Sequence, residues 1–304
     1  MALTKVITGV TDLNQNSSTN GLKFPTGSVF AGTPEEGMIR NDQSQSSAAS
    51  SSTMQFYNGT AWKNFVNKTP CTTDNAAYPV ANTAYYKLNN NPNDSSGNGY
   101  NGTASNVTYA AGKFDDAAAF NGSSSYITLP TNFLNSSTQT ISAWVNPSSV
   151  SANGVIYSSY DYQTGPSKGT YIRVSSGGQV QLTVHDGDCG TMYPADPNCT
   201  GVTQLVSPSA IPTNTWTHIV GVIGGSGNPM TIYINGVNVV STPTMRSVGY
   251  WSGKQPLIGA TNYVVNGTSY GPESFFNGSI DQIRIFSSAL NAAQVTQLYN
   301  EIQC

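Results

Sequence analysis

The sequence predicts an all-β protein: a sandwich of two antiparallel sheets with a short C-terminal helix, preceded by a small hairpin-rich head. Three observations carry this prediction. Runs of alternating β-branched and aromatic residues recur between Gly, Asn, Ser and Pro turns, as in two-sheet sandwiches. The bulk composition is Ser, Thr, Asn and Gly with 17 Tyr and 10 Phe, which favours strands and turns over helices. The third is the closing segment, Phe276 to Tyr299. A Gly turn there feeds a strand with Ile283 and Ile285 on one face and Gln282 and Arg284 on the other. A helix follows that Asn291 caps, with Gln294 at the third helical position and Leu290 stapled onto Val295.

Length and charge bound the function. A chain of 304 residues holds one large all-β domain plus a smaller piece. Only 9% of residues are charged and the net charge is −3, so no basic patch is available to neutralise a phosphate backbone and nucleic acid is not expected as a partner. No window is apolar and long enough to insert into a membrane as a helix. Met1 to Asn20 contains Val6-Ile7-Thr8-Gly9-Val10 but no apolar core of the kind that directs secretion.

The chain divides into residues 1–70 and 71–304. The head carries Pro34-Glu35-Glu36-Gly37-Met38-Ile39-Arg40-Asn41 and then a low-complexity run, Ser44 to Ser52. It closes with Met54-Gln55-Phe56-Tyr57, the turn Asn58-Gly59, and Thr60 to Phe65, a hairpin signal. This pattern resembles segments of tail-fibre and other appendage proteins of tailed bacteriophages, where a Pro-x-x-Gly-apolar strand precedes a Tyr-Asn-Gly-x-x-Trp hairpin. The head has few large apolar side chains, so docking onto other virion proteins or homotrimerisation is expected to supply the burial it lacks.

In the larger part, Ala84 to Leu88 reads as a first strand. Asp94-Ser95-Ser96-Gly97-Asn98-Gly99 follows, and then Gly112-Lys113-Phe114, Ala117 to Gly122 and Tyr126 to Pro130. Thr140 to Val145, Thr215 to Val222, Met230 to Val237 and Leu257 to Ala260 lead to the closing strand and helix. These blocks, in this order, resemble the laminin-G-like family of concanavalin A-like jelly-roll domains. The resemblance implies a scaffold used mainly for binding, with Thr140–Val145 as an inner strand carrying a core Trp.

The same superfamily includes glycoside hydrolases, whose retaining members need two carboxylates about 5 Å apart on rigid strands. Among 15 acidic residues no Glu-x-Asp-x-x-Glu spacing occurs, and only Glu35, Glu36, Glu273 and Glu301 are glutamates. Asp186 and Asp188 stand beside His185 in a turn-rich excursion, a poor platform for catalysis. No enzyme activity is therefore expected. His218 is read as a packed strand residue and His185 as an exposed loop residue.

The resemblance implies one structural calcium, for which Asp94 with Asn98, or Asp281, would supply hard oxygens; Asp94 and Asn98 shaping an Asx turn is the competing reading. Glycan recognition needs flat aromatic faces and planar polar side chains on loops at one end of the sandwich. Tyr160, Asp161 and Tyr162, within the Tyr-rich stretch Tyr157 to Gln163, and Tyr250 with Trp251 are the candidates. Asn-Gly-Ser/Thr sequons such as Asn58, Asn121 and Asn277 are read as turn chemistry.

Four cysteines allow three connectivities. Cys189–Cys199 would close the excursion and Cys71–Cys304 would fasten the start of the large part to its end, the longer loop contributing roughly 5 kcal/mol in a chain-entropy model. Disulfides without a secretion segment suit a protein made in a bacterial host cytoplasm and oxidised after lysis, as on a virion surface. The expectation is a structural surface protein of a tailed-phage virion, a tail fibre or capsid-bound decoration, whose jelly roll binds host-surface glycan. A purely structural decoration protein without a ligand and a secreted bacterial carbohydrate-binding module are the alternatives.

Overall fold

The structure, a computed structural model, describes residues 80–131, 134, 136–160, 168–186, 201–243, 245, 248, 255–265 and 268–301, together with strand backbone at 39–42, 53–57 and 62–64. The chain forms two compact units, residues 1–71 and 72–304. The first holds an antiparallel sheet of β1 (Ile39–Asp42), β2 (Thr53–Tyr57) and β3 (Trp62–Asn64) in that order. Tyr57 pairs with Trp62 in the β2–β3 hairpin, and the Asn58-Gly59 turn lies outside the described residues.

The second unit contains β4 (Ala84–Tyr86), β5 (Thr103–Ser105), β6 (Thr108–Ala111), β7 (Asp116–Asn121), β8 (Tyr126–Thr128), β9 (Gln139–Pro147) and β10 (Gly154–Ser158). Then come β11 (Lys168–Val174), β12 (Gln179–Asp186), β13 (Val202–Ala210), β14 (Thr217–Ile223), β15 (Met230–Ile234) and β16 (Val237–Thr242). The chain ends with β17 (Leu257–Ile258), β18 (Thr261–Val265), β19 (Thr268–Glu273), β20 (Asn277–Phe286) and α1 (Ala292–Tyr299). Seven strands form one sheet in the order β13-β12-β11-β10-β17-β8-β5. Eight form the other, β16-β15-β14-β9-β20-β7-β6 with β4 also on β20, and β18-β19 make a separate ribbon.

The sheets face each other across one core. Ile172, Val174, Val180, Leu182 and Val184 point inward from one side, and Ile141, Val145, Ile219, Ile232, Ile283 and Ile285 from the other. Alternate residues of the central strands are thereby removed from water, which is the physical content of the period-2 pattern. At Gly221 the sheets pack tightly: a Cβ there would meet the Leu182 and Ile172 side chains at 3.0–3.2 Å.

The eight-stranded sheet is buried on its outward face too. Val220, Val222, Tyr233 and Phe286 pack there against Leu290, which precedes the helix cap, and Val295 and Leu298 of α1. The helix starts as its sequence dictates: Asn291 Oδ1 accepts from the Gln294 N–H and Gln294 Oε1 from the Asn291 N–H, while Leu290 and Val295 join the same cluster. Trp144 corrects an expectation. It lies on the outward face, stacked on Tyr299 of α1, because Ile141, Ala143 and Val145 take the inward positions of β9. In β20 a bulge between Asp281 and Arg284, with Gln282 at φ 49°, keeps Ile280 and Ile283 both facing inward.

Candidate functional site

The outward face of the seven-stranded sheet is built differently. Strand parity places Tyr171 and Arg173 (β11), Gln181, Thr183 and His185 (β12), and Gln204 (β13) opposite the inward Ile172, Leu182 and Leu205. Register then makes rows: Tyr171 beside Thr183 beside Gln204, and Arg173 beside Gln181. Side chains within a row bond to each other. Arg173 donates through Nε to Gln181 Oε1 at 2.8 Å, and Gln204 Nε2 donates to Thr183 Oγ1 at 3.1 Å. The Arg173 guanidinium also lies 5.2 Å from the Tyr171 ring centroid. Gln204 is exposed and Arg173 and Gln181 are half-buried, so these planar polar groups are fixed in place yet reachable.

Tyr160 closes one end of this face. Its ring stands edge-on to Tyr171, centroids 5.8 Å apart, and 4.6 Å from His185. Gly169, paired with His185, makes the placement possible: it sits at φ +113°, and a Cβ there would fall 2.4 Å from Ser159 O and 2.7 Å from the Tyr160 Cα. The Tyr160 N–H donates to Ser158 Oγ, which in turn bonds Thr261 Oγ1 at 2.8 Å. His185 is therefore no exposed loop residue: it belongs to β12, is 2% exposed, and neither ring nitrogen has a hydrogen-bond partner. Burial pushes its pKa down to about 4, so it is a neutral ring among aromatics at neutral pH.

Arg173 carries a positive charge on this face. Burial raises the carboxyl of Glu273 above its ordinary value, and Arg173 offsets part of that rise. Such a surface can stack apolar ring faces and hydrogen-bond neutral hydroxyls. Among the described residues no cluster of three or more His, Cys, Asp or Glu side chains occurs. Also among them, no helix is long and apolar enough to cross a membrane.

Of the glycan candidates, Tyr160 is half-buried in this cluster, while Asp161, Tyr162, Tyr250 and Trp251 lie outside the described residues, as do all four cysteines, Cys71, Cys189, Cys199 and Cys304. Tyr157 proves to be a fully buried core residue of β10. Tyr171, Arg173, Gln181 and Gln204 escaped sequence reasoning; the alternation in Lys168–Val174 and Gln179–Asp186 marks them as outward-facing and nothing more.

Asp94 is a loop organiser. Its Oδ1 accepts from the Tyr85 and Ser96 N–H groups, and its Oδ2 from the Tyr100 N–H and the Ser96 hydroxyl, at 2.8–3.0 Å. These bonds hold its carboxyl below the usual range although burial opposes them. Four donors occupy the four lone-pair directions of a carboxylate, so this arrangement does not fit a calcium ion, which needs bare oxygens. Asn98 turns its amide nitrogen to the carbonyls of Asn82 and Thr83. Asp281 is fully buried and accepts the Phe114 N–H at 2.9 Å, tying the turn before β7 to β20, and burial raises its pKa to about 7. His218 is buried and bonds Ser142 Oγ through Nε2 at 2.8 Å, a packed strand residue as expected.

Two facing antiparallel sheets with a capped C-terminal helix and a polar-aromatic outer face define a lectin-like jelly-roll domain. The chain belongs to the concanavalin A-like lectin/glucanases superfamily, whose profile matches residues 121–296, more than half its length. A comparison with curated proteins finds no match. Among solved structures, domain 4 of AbnA is similar over 72% of this chain and 98% of its own, with 26% identity and a TM-score of 0.52. AbnA is an extracellular GH43 arabinanase from Geobacillus stearothermophilus, and that domain was solved in complex with arabinotriose. The binding domain of Paraclostridial Mosquitocidal Protein 1 shares the fold at 20% identity and a TM-score of 0.51, covering 68% of this chain and 49% of its own. The receptor-binding domain of botulinum neurotoxin type G does so at 18% and 0.50, covering 72% and 50%.

Proposed function

We propose that this chain is a non-enzymatic adhesion protein whose jelly-roll domain binds an extracellular, uncharged glycan on the outer face of its seven-stranded sheet. One observation carries the reading: the planar side chains of Arg173, Gln181 and Gln204 are fixed by hydrogen bonds, Arg173 to Gln181 and Gln204 to the buried Thr183 hydroxyl, on the face where the half-buried Tyr160 ring packs against Tyr171. Prepositioned planar donors next to an aromatic surface recognise sugar hydroxyls and ring C–H faces together. The arabinotriose complex of the AbnA domain supports the ligand class. The binding reading is favoured over hydrolysis because Asp94 and Asp281 are engaged with backbone N–H groups and Glu301 with Arg284 at 2.8 Å.

Residues 1–70 would attach the protein to other virion components of a tailed phage. Support for this placement comes from the Pro34–Asn41 and Tyr57–Trp62 sequence motifs and from the antiparallel pairing of β1, β2 and β3. A homotrimer made in a bacterial cytoplasm and displayed on the particle surface is the matching assembly.

A glycan array probed with the full chain tests the function. Binding to neutral polysaccharides that falls at least about ten-fold in Arg173→Ala and Gln204→Ala is expected, roughly 1.4 kcal/mol each. Binding that survives both substitutions would remove this face from the account. Immunogold labelling of phage particles from a lysate tests the placement, and absence of label would overturn it.

A further inference from the structure

A second feature lies at the end of the sandwich, where β7 leaves, β9 turns toward β10 and β20 begins. A cavity of about 100 Å³ opens there, floored by Phe276 and edged by Gly122, Ser149, Ser151, Phe275 and Asn277. Its walls are held by local bonds. Asn121 Oδ1 accepts from the N–H groups of Ser123, Ser124 and Ser125, fixing the turn at Gly122. Ser149 Oγ meets Ser151 Oγ at 3.0 Å and accepts the Ser151 N–H. The Gly122 N–H donates to Phe276 O, and the Ser148 N–H to Asn277 O. Gly154 lets the β9–β10 loop close over the floor, since a Cβ there would come within 3.1 Å of the Phe276 ring.

We infer that this cavity is the terminal subsite of the glycan surface and takes one uncharged sugar residue at a chain end; this rests on the glycan reading above. Three features select that ligand. No charged side chain lines the cavity, so an anionic sugar would lose solvation without a partner. Two hydroxyls and one primary amide supply donors and acceptors for ring hydroxyls or an acetamido group, while Phe275, half-buried, and Phe276 supply apolar faces. The volume, about 100 Å³, is below the roughly 150 Å³ that encloses one benzene ring, so only one edge of a single terminal sugar ring enters and the rest stays in solvent. Position joins it to the face already described. Val174, the last residue of β11, lines the cavity from the inward side of the sheet, so the cavity opens at the strand end just beyond the Arg173–Gln181 row, around the edge from the outer face.

The test titrates the full-length protein with free arabinose, galactose, N-acetylglucosamine and glucuronic acid, reading backbone amide shifts by NMR. The expected result is that at least one neutral sugar shifts Gly122, Ser149, Ser151 and Asn277, with a Kd of about a millimolar, the range its dozen or so heavy atoms allow. Ala152→Trp, placed on an exposed residue of the same rim, should weaken this at least about ten-fold without moving the Tm, while Gln204→Ala on the sheet face leaves it within about two-fold. Silent cavity amides in a protein that still binds polysaccharide on the array would overturn the subsite and leave the sheet face standing. Preference for glucuronic acid would overturn the uncharged class, and no binding in either assay would overturn both readings.

Discussion

Trp144 of β9 lies stacked on Tyr299 of α1, ring centroids 5.7 Å apart and planes 23° from parallel. The same tyrosine stacks on His218 at 5.9 Å, and Lys113 Nζ sits 4.5 Å from the Trp144 ring centroid. The C-terminal helix is thereby fastened to the centre of the eight-stranded sheet by aromatic contact as well as by its Val295 and Leu298 and by Leu290 just before its cap. Tyr299→Ala should cost about 1–2 kcal/mol in urea unfolding, from a lost aromatic pair and its share of buried area, with a red shift of tryptophan emission. Tyr299→Phe keeps the stack and should cost under about 0.5 kcal/mol; equal losses in both would exclude stacking as the cause.

Asp281 makes a pH prediction with a definite sign. Its folded pKa, raised to about 7, exceeds the unfolded value of about 3.9, so the native state binds the extra proton between these limits. Its contribution is complete below about pH 4 and is lost as pH rises to about 7. His185 and His218, lowered by burial to about 4 and about 3, act oppositely and take stability away as pH falls below about 6.5. Comparing Asp281→Asn with the parent isolates the first effect. The stability difference should move in favour of the variant from pH 4 to 7, by at most about 4 kcal/mol, and then level off. A difference independent of pH would mean that Asp281 titrates normally.

Asp94 should behave as a hydrogen-bond hub. Asp94→Ala strands the N–H groups of Tyr85, Ser96 and Tyr100 and should cost about 2–4 kcal/mol. Asp94→Asn, which retains one acceptor oxygen, should cost less. Because the depressed carboxyl stabilises the fold above about pH 4 and loses that effect as pH falls through its folded value, the parent-minus-Asn difference should shrink in acid. Calcium or a chelator should leave Tm unchanged, and a calcium-dependent rise abolished by Asp94→Ala would replace the hub with an ion site.

Gly169 links stability to binding. Gly169→Ala forces a Cβ onto the Ser159 carbonyl at a positive φ and should cost about 2–3 kcal/mol. The same shift displaces Tyr160, so glycan affinity should fall with stability, whereas Gly177→Ala, also at positive φ but in open space, should lose some stability and no affinity. Undiminished affinity in Gly169→Ala would separate Tyr160 from the binding face.

The amino-acid sequence by itself determined whatever depends on neighbours along the chain. Ile283 and Ile285 share a face because strand side chains alternate, and the Asn291–Gln294 box and Leu290–Val295 staple form within one helical turn. Asn121 and Asp94 build their turns from donors a few residues away. Tertiary structure alone decided what lies on each face. Gln282 and Arg284 alternate away from the core, yet both are buried, because Tyr85 on β4 bonds one and lies under the other while Glu301 pairs the arginine. Trp144 was legible as a packed residue but not as the partner of a helix. The Arg173, Gln181 and Gln204 surface is assembled from three strands, and strand alternation carries no information about which strands pair or in what register. That choice is made by burying the inward faces, and the outward face follows from it.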